Sequence, residues 1–433
     1  MAAPHFDKSR PAGAEFRSSG PAEEKLSMNT EFRSLERRRW LFLLLGTVLL
    51  LCLGLIYAWS VFRTPLEQEF GWSKAQTSVT FSISMMMFCL GGLASGSLAG
   101  KRGPRLPLLL CAAFLLAGFV SASRIQTLGG IYATYGGLCG FGVGLGYNAV
   151  ISTVVRWFPD KQGLVSGIAL MGFGFGGMVL GTVGAGMITA LGWRRTFAIF
   201  GFLFAAVMAA GALGLRPPEE RVLAVLSTER KTLCPSLEEA DWRTMLRRRN
   251  FWLYFLWAVT LSAAGLAVIN SSAVYARSIL QGDLTQAAAA AGLVSVANGA
   301  GRVLFGQLFD AKGYRVTMLT DCGLYLLAAA VLILSDRTGS ASVLIAAFLL
   351  IGLAYGGVTP TNSAFIARFF GRKHYALNFS LINLNLMIAS YLGPMCGNGS
   401  YLQTFFAVAA FGGAGLVITL LIHRPETKEG EQT

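Results

Sequence analysis

Gly306-Gln-Leu-Phe-Asp310-Ala-Lys-Gly313-Tyr-Arg315 repeats, at an offset of 210, the pattern of Gly96-Ser-Leu-Ala-Gly-Lys-Arg-Gly103-Pro-Arg105. Two glycines, a leucine and an arginine coincide. A second pair agrees at an offset of 212, Arg156-Trp-Phe-Pro159 against Arg368-Phe-Phe-Gly371. Each marker follows a long apolar run, and two markers at nearly one offset describe a chain built twice over.

Working outward, apolar runs of membrane-crossing length are expected at about 40–62, 76–99, 106–123, 127–156, 163–191, 195–215, 251–274, 285–309, 316–335, 339–368, 374–396 and 400–422. That is about twelve, in two sets of six, so the expected fold is an all-α integral membrane protein with two pseudo-symmetric halves. Parallel repeats of this kind build alternating-access transporters. The expected organisation is a tail at 1–39, a half at 40–215, a polar linker at 216–250, a second half at 251–422 and a tail at 423–433. The first 39 residues are polar and basic, without the apolar core of a cleaved signal.

Composition points the same way. Of 433 residues, 54% are hydrophobic and 13% charged, about half the charge of a soluble protein. The net charge of +14 would suggest a nucleic-acid partner in a soluble chain, but the basic residues occupy short loops between apolar runs. About 28 of the 36 lysines and arginines fall on the side of the N-terminus and about 7 opposite. Both termini are therefore expected in the cytoplasm. Six of the seven cysteines lie inside apolar runs without metal-type spacing, and Cys234 lies in the linker. No disulfide, metal or cofactor is expected, and no nucleic acid.

The loop after the second span resembles G-x-x-x-D-R-x-G-R-R, a hallmark of the major facilitator superfamily, and the likeness extends over about 40–422. The resemblance assigns conformational gating to Gly96, Gly103, Arg105, Gly306, Asp310, Gly313 and Arg315. The N-terminal copy departs from it, with Gly100 in place of the acidic latch residue and Lys101 in place of arginine, so the latch carries over to Asp310 alone. A narrower stretch, Tyr57-Ala-Trp-Ser-Val-Phe62, Pro65-Leu66 and Glu69-Phe-Gly-Trp72-Ser, is similar to the oxalate/formate antiporter family, relatives of the monocarboxylate transporters. Asn378-Phe-Ser and Gly393-Pro394 agree with it. That likeness implies a prokaryotic inner membrane.

Within the expected spans there is no glutamate, the one histidine, His374, is the first residue of its span, and the one aspartate, Asp321, reads as close to the cytosolic end, where solvation is cheap. No embedded proton site is evident. Arg302 is the exception among the bases. A central arginine costs roughly 2.5–3.5 kcal/mol on insertion scales, and Ser295, Asn298 and Arg302 share one helical face. An anionic substrate would supply the missing charge, with bidentate geometry suited to a carboxylate. The plainer reading is that Arg302 snorkels about 10 Å to the interface. Its repeat mate is Gly92, so packing common to both halves does not demand the charge. The resemblance adds that related families bind substrate through an arginine in this helix.

Oxalate transporters of the resembled family carry a lysine in the eleventh span, where this chain has Leu386 between Asn383 and Asn385. One cation balances one carboxylate, so a monocarboxylate such as formate, lactate, acetate or pyruvate is expected over oxalate. Asn383 shares a face with Ser380 and Met387 and is the expected contact. Tyr57, Tyr147 and Tyr355 are candidates to line the cavity, with ordinary packing as their alternative. Asn270, Ser271 and Ser272 are weaker candidates. The glycine runs 140–146 and 172–177 imitate dinucleotide turns, but small residues inside apolar spans let helices approach closely. The basic runs 37–39 and 247–249 read as topology determinants first and lipid-headgroup contacts second.

The function expected is a secondary transporter for a small organic anion, by antiport or proton-linked symport, monomeric in the bilayer. Alternatives are carriage of an uncharged or cationic solute with Arg302 structural, and oxalate exchange. No residue arrangement supplies a nucleophile or catalytic metal, so an enzyme is not expected.

Overall fold

A computed structural model describes residues 21–219, 222, 239–280, 284–397 and 400–423. Residues 1–20 of the tail expected at 1–39, the tail at 423–433 beyond His423, most of the linker and Cys234 lie outside the described residues, while residues 21–39 are helical and run into the first crossing.

Every described element is helical. Eleven stretches are long and apolar enough to cross a membrane: Leu35–Phe70, Lys74–Gly100, Arg105–Ala122, Leu128–Arg156, Gln162–Leu191, Trp193–Gly214, Arg249–Ile269, Gly292–Thr338, Ala341–Phe370, Tyr375–Gly393 and Tyr401–Leu421. Gly292–Thr338 is two crossings. At Gly313 the backbone leaves the helix (φ 79°, ψ 178°), and the two arms lie against the same stretch of the following helix: Gly301 abuts Leu353, and Tyr325 lies near Tyr355. The described chain thus crosses twelve times, and the crossings are called spans one to twelve below.

The repeated sequence marker is a repeated turn. Gly103, between spans two and three, has φ 70° and ψ −174°, close to Gly313 between spans eight and nine. Only glycine adopts this region without strain. Nothing lies within 4 Å of where a side chain would start at either position, so conformation and not crowding requires the glycine.

On the opposite face, polar caps shape the hairpins. Ser73 and Gln76 close a capping box at the start of span two, and Ser400 and Gln403 do the same for span twelve. The motif Glu69-Phe-Gly-Trp72 is one of these hairpins. Gly71 ends the first helix in a left-handed turn, Phe70 stacks on Trp72, and Glu69 receives hydrogen bonds from Trp193 and Arg194 of span six.

Three crossings are irregular. Span one tightens to a 3-10 helix at Gly54–Ala58. Span four carries a π-helical segment at Tyr132–Cys139. Span eleven breaks between Tyr375–Ile382 and Asn385–Gly397. Breaks at membrane depth are tolerated where the freed backbone faces protein or a cavity. Two of these breaks carry residues singled out above, Tyr57 and Asn383.

Candidate functional site

Arg302 lies where span eight of one half crosses span five of the other. The backbones approach so closely that a methyl group on Gly167 would stand 2.2 Å from the Arg302 carbonyl oxygen. The side chain is 5% exposed and does not snorkel. It reaches across into span five, where Nη1 donates to the Leu170 carbonyl oxygen. Nε donates to Asn298 Oδ1 at 3.0 Å, one turn back on the same helix. Tyr57 stands beside the guanidinium, within its electrostatic reach. Gly174 makes room for the group, since a side chain there would begin 3.3 Å from Cζ. All these partners are neutral, and among the described residues no carboxylate pairs with Arg302. A full positive charge is thus held between the halves with its dipolar contacts made and its charge uncompensated. That arrangement suits an anion.

Tyr57, Tyr147 and Tyr355 converge on this charge, each within electrostatic reach of the guanidinium. Phe173 of span five organises the N-terminal side: Tyr57 and Tyr147 meet it edge-on at 5.2 and 5.0 Å between ring centres. Tyr147 also packs on Phe88 and, across the halves, on Phe379. Tyr57 is 38% exposed although protein surrounds it deeply. The region between the halves beside Tyr57 and Arg302 is called the chamber below.

Asn383 sits at the break in span eleven, buried, with Oδ1 lacking a hydrogen-bond partner. Its carbonyl accepts from Cys89, itself a neighbour of Tyr57 and Tyr147. Asn385, two residues on, turns into its own half, bonding Ser262 and the Ile382 carbonyl. Ser271 and Ser272 bond carbonyls of their own helix, and the Asn270 side chain lies outside the described residues.

One side of the chamber is sealed, on the face where the described chain enters span one and leaves span twelve, called the terminal face below. Asp310 Oδ1 and Oδ2 accept from the backbone N–H groups of Gly163 and Leu164 at 2.9 and 2.8 Å. The carboxylate of one half thereby caps the N-terminus of span five in the other, where the helix dipole favours negative charge. Beside it Gly163 and Gly306 meet backbone to backbone, a side chain on either falling 2.1–2.2 Å from the other's carbonyl oxygen. Gly96 meets Ser380, Ala376 and Leu377 closely too, a side chain there falling 2.7–2.8 Å from them. Asn148 Nδ2 donates to the carbonyls of Gly92 and Ala376, and Arg372 Nη2 to that of Pro159, each at 2.9 Å. The end of the linker clasps the same place: Glu239 accepts from the backbone of Arg372 and Lys373, and Asn378 donates to Ala240.

Asn148, Arg372 and Glu239 carry no motif, and only their contacts across the fold reveal them. Arg105 and Arg315, matched by the repeat, are exposed, and their side chains make no ion pair among the described residues. Two further expectations are corrected. Arg39 is not a headgroup contact: it is 1% exposed, bonded to Asp160 at 2.8 Å and Glu36 at 3.0 Å, with its guanidinium over the Phe158 ring. Asp321 is not cheaply solvated. It is fully buried, and neither carboxylate oxygen has a hydrogen-bond partner. The glycine runs behave as packing surfaces, with Gly176 against Gly54 and Gly177 against Tyr57.

Comparison with known proteins agrees with this fold. The family model described as Major Facilitator Superfamily matches residues 43–394. The oxalate:formate antiporter of Oxalobacter formigenes is 28% identical, over 85% of this chain and 86% of its own. An uncharacterised MFS-type transporter of Escherichia coli, YhjX, is 26% identical over 82% and 86%. Monocarboxylate transporter 13 of Rattus norvegicus is 25% identical over 86% of each chain. Among solved structures, the proton:xylose symporter XylE superposes with a TM-score of 0.65 at 18% identity, over 90% of this chain and 96% of its own. The fucose:proton symporter FucP of E. coli gives 0.65 at 15%, over 89% and 98%. At these identities the two structures speak to fold alone.

Proposed function

The chain belongs to the major facilitator superfamily and is a secondary transporter; from that premise we propose that its substrate is a small monocarboxylate, bound between the halves by Arg302. One observation carries the proposal: a buried guanidinium whose hydrogen-bond partners are all neutral, at the level where two helices of the repeat are broken. A carboxylate replacing the Leu170 or Tyr57 contact would meet Arg302 in a bidentate pair, with Asn298, Asn383, Tyr57, Tyr147 and Tyr355 around it. Leu386 leaves a second carboxylate without a cation, which favours a monoanion over the dianion named for the Oxalobacter relative. The aromatic lining suits the apolar remainder of a short acid.

Access alternates by rocking one half on the other. The terminal face, sealed through Asp310, Gly163 and Gly306, is assigned to the cytoplasm by the basic bias of its loops, in a prokaryotic plasma membrane. Anion binding neutralises the guanidinium and lowers the cost of closing the chamber around it.

Counterflow in proteoliposomes tests the reading. Labelled formate or lactate should exchange through the wild type, oxalate should exchange poorly, and Arg302→Gln should reduce exchange at least a hundredfold. Normal exchange by Arg302→Gln, or failure of every monocarboxylate in folded wild-type protein, refutes it.

A further inference from the structure

A buried acid without a hydrogen-bond partner lies in the C-terminal half, away from Arg302. Asp321 of span nine is 0% exposed, and both of its oxygens lack a hydrogen-bond partner. It stands eight residues past the turn at Gly313, about 12 Å along the helix from the terminal face. The groups that face it are few. Span seven presents Tyr254, whose hydroxyl is occupied by Asn362 Oδ1 of span ten at 2.9 Å. Span nine itself presents Tyr325, one turn on, with its hydroxyl unpartnered, and Cys322. Cys322 is engaged in turn by Trp257 of span seven and Thr419 of span twelve. No lysine, arginine, histidine or second carboxylate among the described residues acts on Asp321.

A bare carboxylate in that setting is the costly form. Burying an unpaired ion costs several kcal/mol even after relaxation, and such groups take up a proton instead. The repeat mate of Asp321 is Cys111, a fully buried thiol of similar bulk, so the fold common to both halves does not require an acid there. The acid also shares a neighbour, Tyr325, with the tyrosines around Arg302. The Tyr325 hydroxyl lies within electrostatic reach of both Asp321 and Tyr355, and Tyr355 within reach of Arg302 and Tyr57. Hydroxyl groups can pass a proton by accepting one and donating another.

We propose that Asp321 is a proton-binding site, reached from the substrate chamber through Tyr355 and Tyr325, and that the protein carries one proton with each anion. The step balances: in the form open opposite the terminal face Asp321 takes one proton from the water of the chamber and holds it, the anion then binds Arg302, and the occupied carrier has gained one proton and one anion and so no net charge. Opening of the terminal face brings water toward Asp321, where the proton departs as the anion does. The proposal rests on the reading of Arg302 as the anion site.

The test uses the full chain in proteoliposomes, with labelled lactate as probe and protein-free vesicles as the blank. An inwardly directed acid gradient should drive wild-type accumulation up to about tenfold per pH unit, the limit for one proton per anion. Asp321→Asn, which imitates the neutral acid in shape, should show no accumulation above equilibration, a loss out of proportion to any change in its exchange rate. Accumulation by Asp321→Asn equal to wild type overturns the proton site and leaves the anion site standing. Loss of exchange in Arg302→Gln concerns only the anion site. Infrared difference spectra of wild type minus Asp321→Asn supply a readout free of transport. A protonated-carboxyl band at neutral pH is expected, and its absence overturns the assignment even if no carboxylate is carried.

Discussion

Replacing Gly306 by alanine should open the terminal face. The new methyl group would stand 2.1 Å from the Gly163 carbonyl oxygen, where real contacts do not fall below 3.0 Å. Spans five and eight must therefore part by about 1 Å, and backbone on both sides leaves no flexible side chain to give way. That displacement carries the two Asp310 bonds, now 2.9 and 2.8 Å, to the edge of hydrogen-bonding range. Bonds to a charged group contribute about 1.5–3 kcal/mol each. Losing both disfavours the sealed form by about 3–6 kcal/mol, or roughly 10²–10⁴ in the sealed-to-open ratio. Spin labels at Arg105 and Arg315, both exposed and on opposite halves of the sealed face, report the change by pulsed dipolar spectroscopy. The short-distance population of the wild type should give way to a longer one in Gly306→Ala. An unchanged distribution would refute the idea that close backbone approach sets the seal.

Two other expectations follow from single contacts. Tyr57→Phe keeps the ring on Phe173 but removes the hydroxyl beside Arg302; the KM for lactate should rise about tenfold in vesicle uptake, with the melting temperature in detergent little changed. Arg39→Ala removes the buried guanidinium that bonds Asp160 and Glu36, and should destabilise the protein by about 1.5–3 kcal/mol, read as a lowered thermal-unfolding midpoint while exchange at low temperature survives.

The crossings were readable because hydropathy has the same period as the helix that bears it, and the repeated turn because Gly103 and Gly313 meet one conformational demand. Arg302 stood out by its cost in an apolar run. What it bonds did not, since Leu170 contributes only a carbonyl that any residue would supply. Asp321 was misjudged because distance from a turn measures depth along the helix and says nothing of what lies beside it. Span nine is walled by spans seven, ten and twelve, so an acid near its end is still dry. Arg39 was misjudged for the same reason: its place in a basic run suggested headgroups, while its partner Asp160 lies 121 positions away. Arg105 and Arg315 show the converse, a sequence match without an ion pair among the described residues.

The seal joins a side chain on one half to main chain on the other: Asp310 to the amides of Gly163 and Leu164, Arg372 to Pro159, Asn148 to Ala376. Only one member of each pair has its identity written in the gene. Leu164 and Ala376 are therefore free to drift without loosening the contact, and a change at one position calls for no compensating change at the other. Correlated substitution between the halves, a usual trace of contact in families of sequences, should be faint at this gate, however much the transport cycle depends on it.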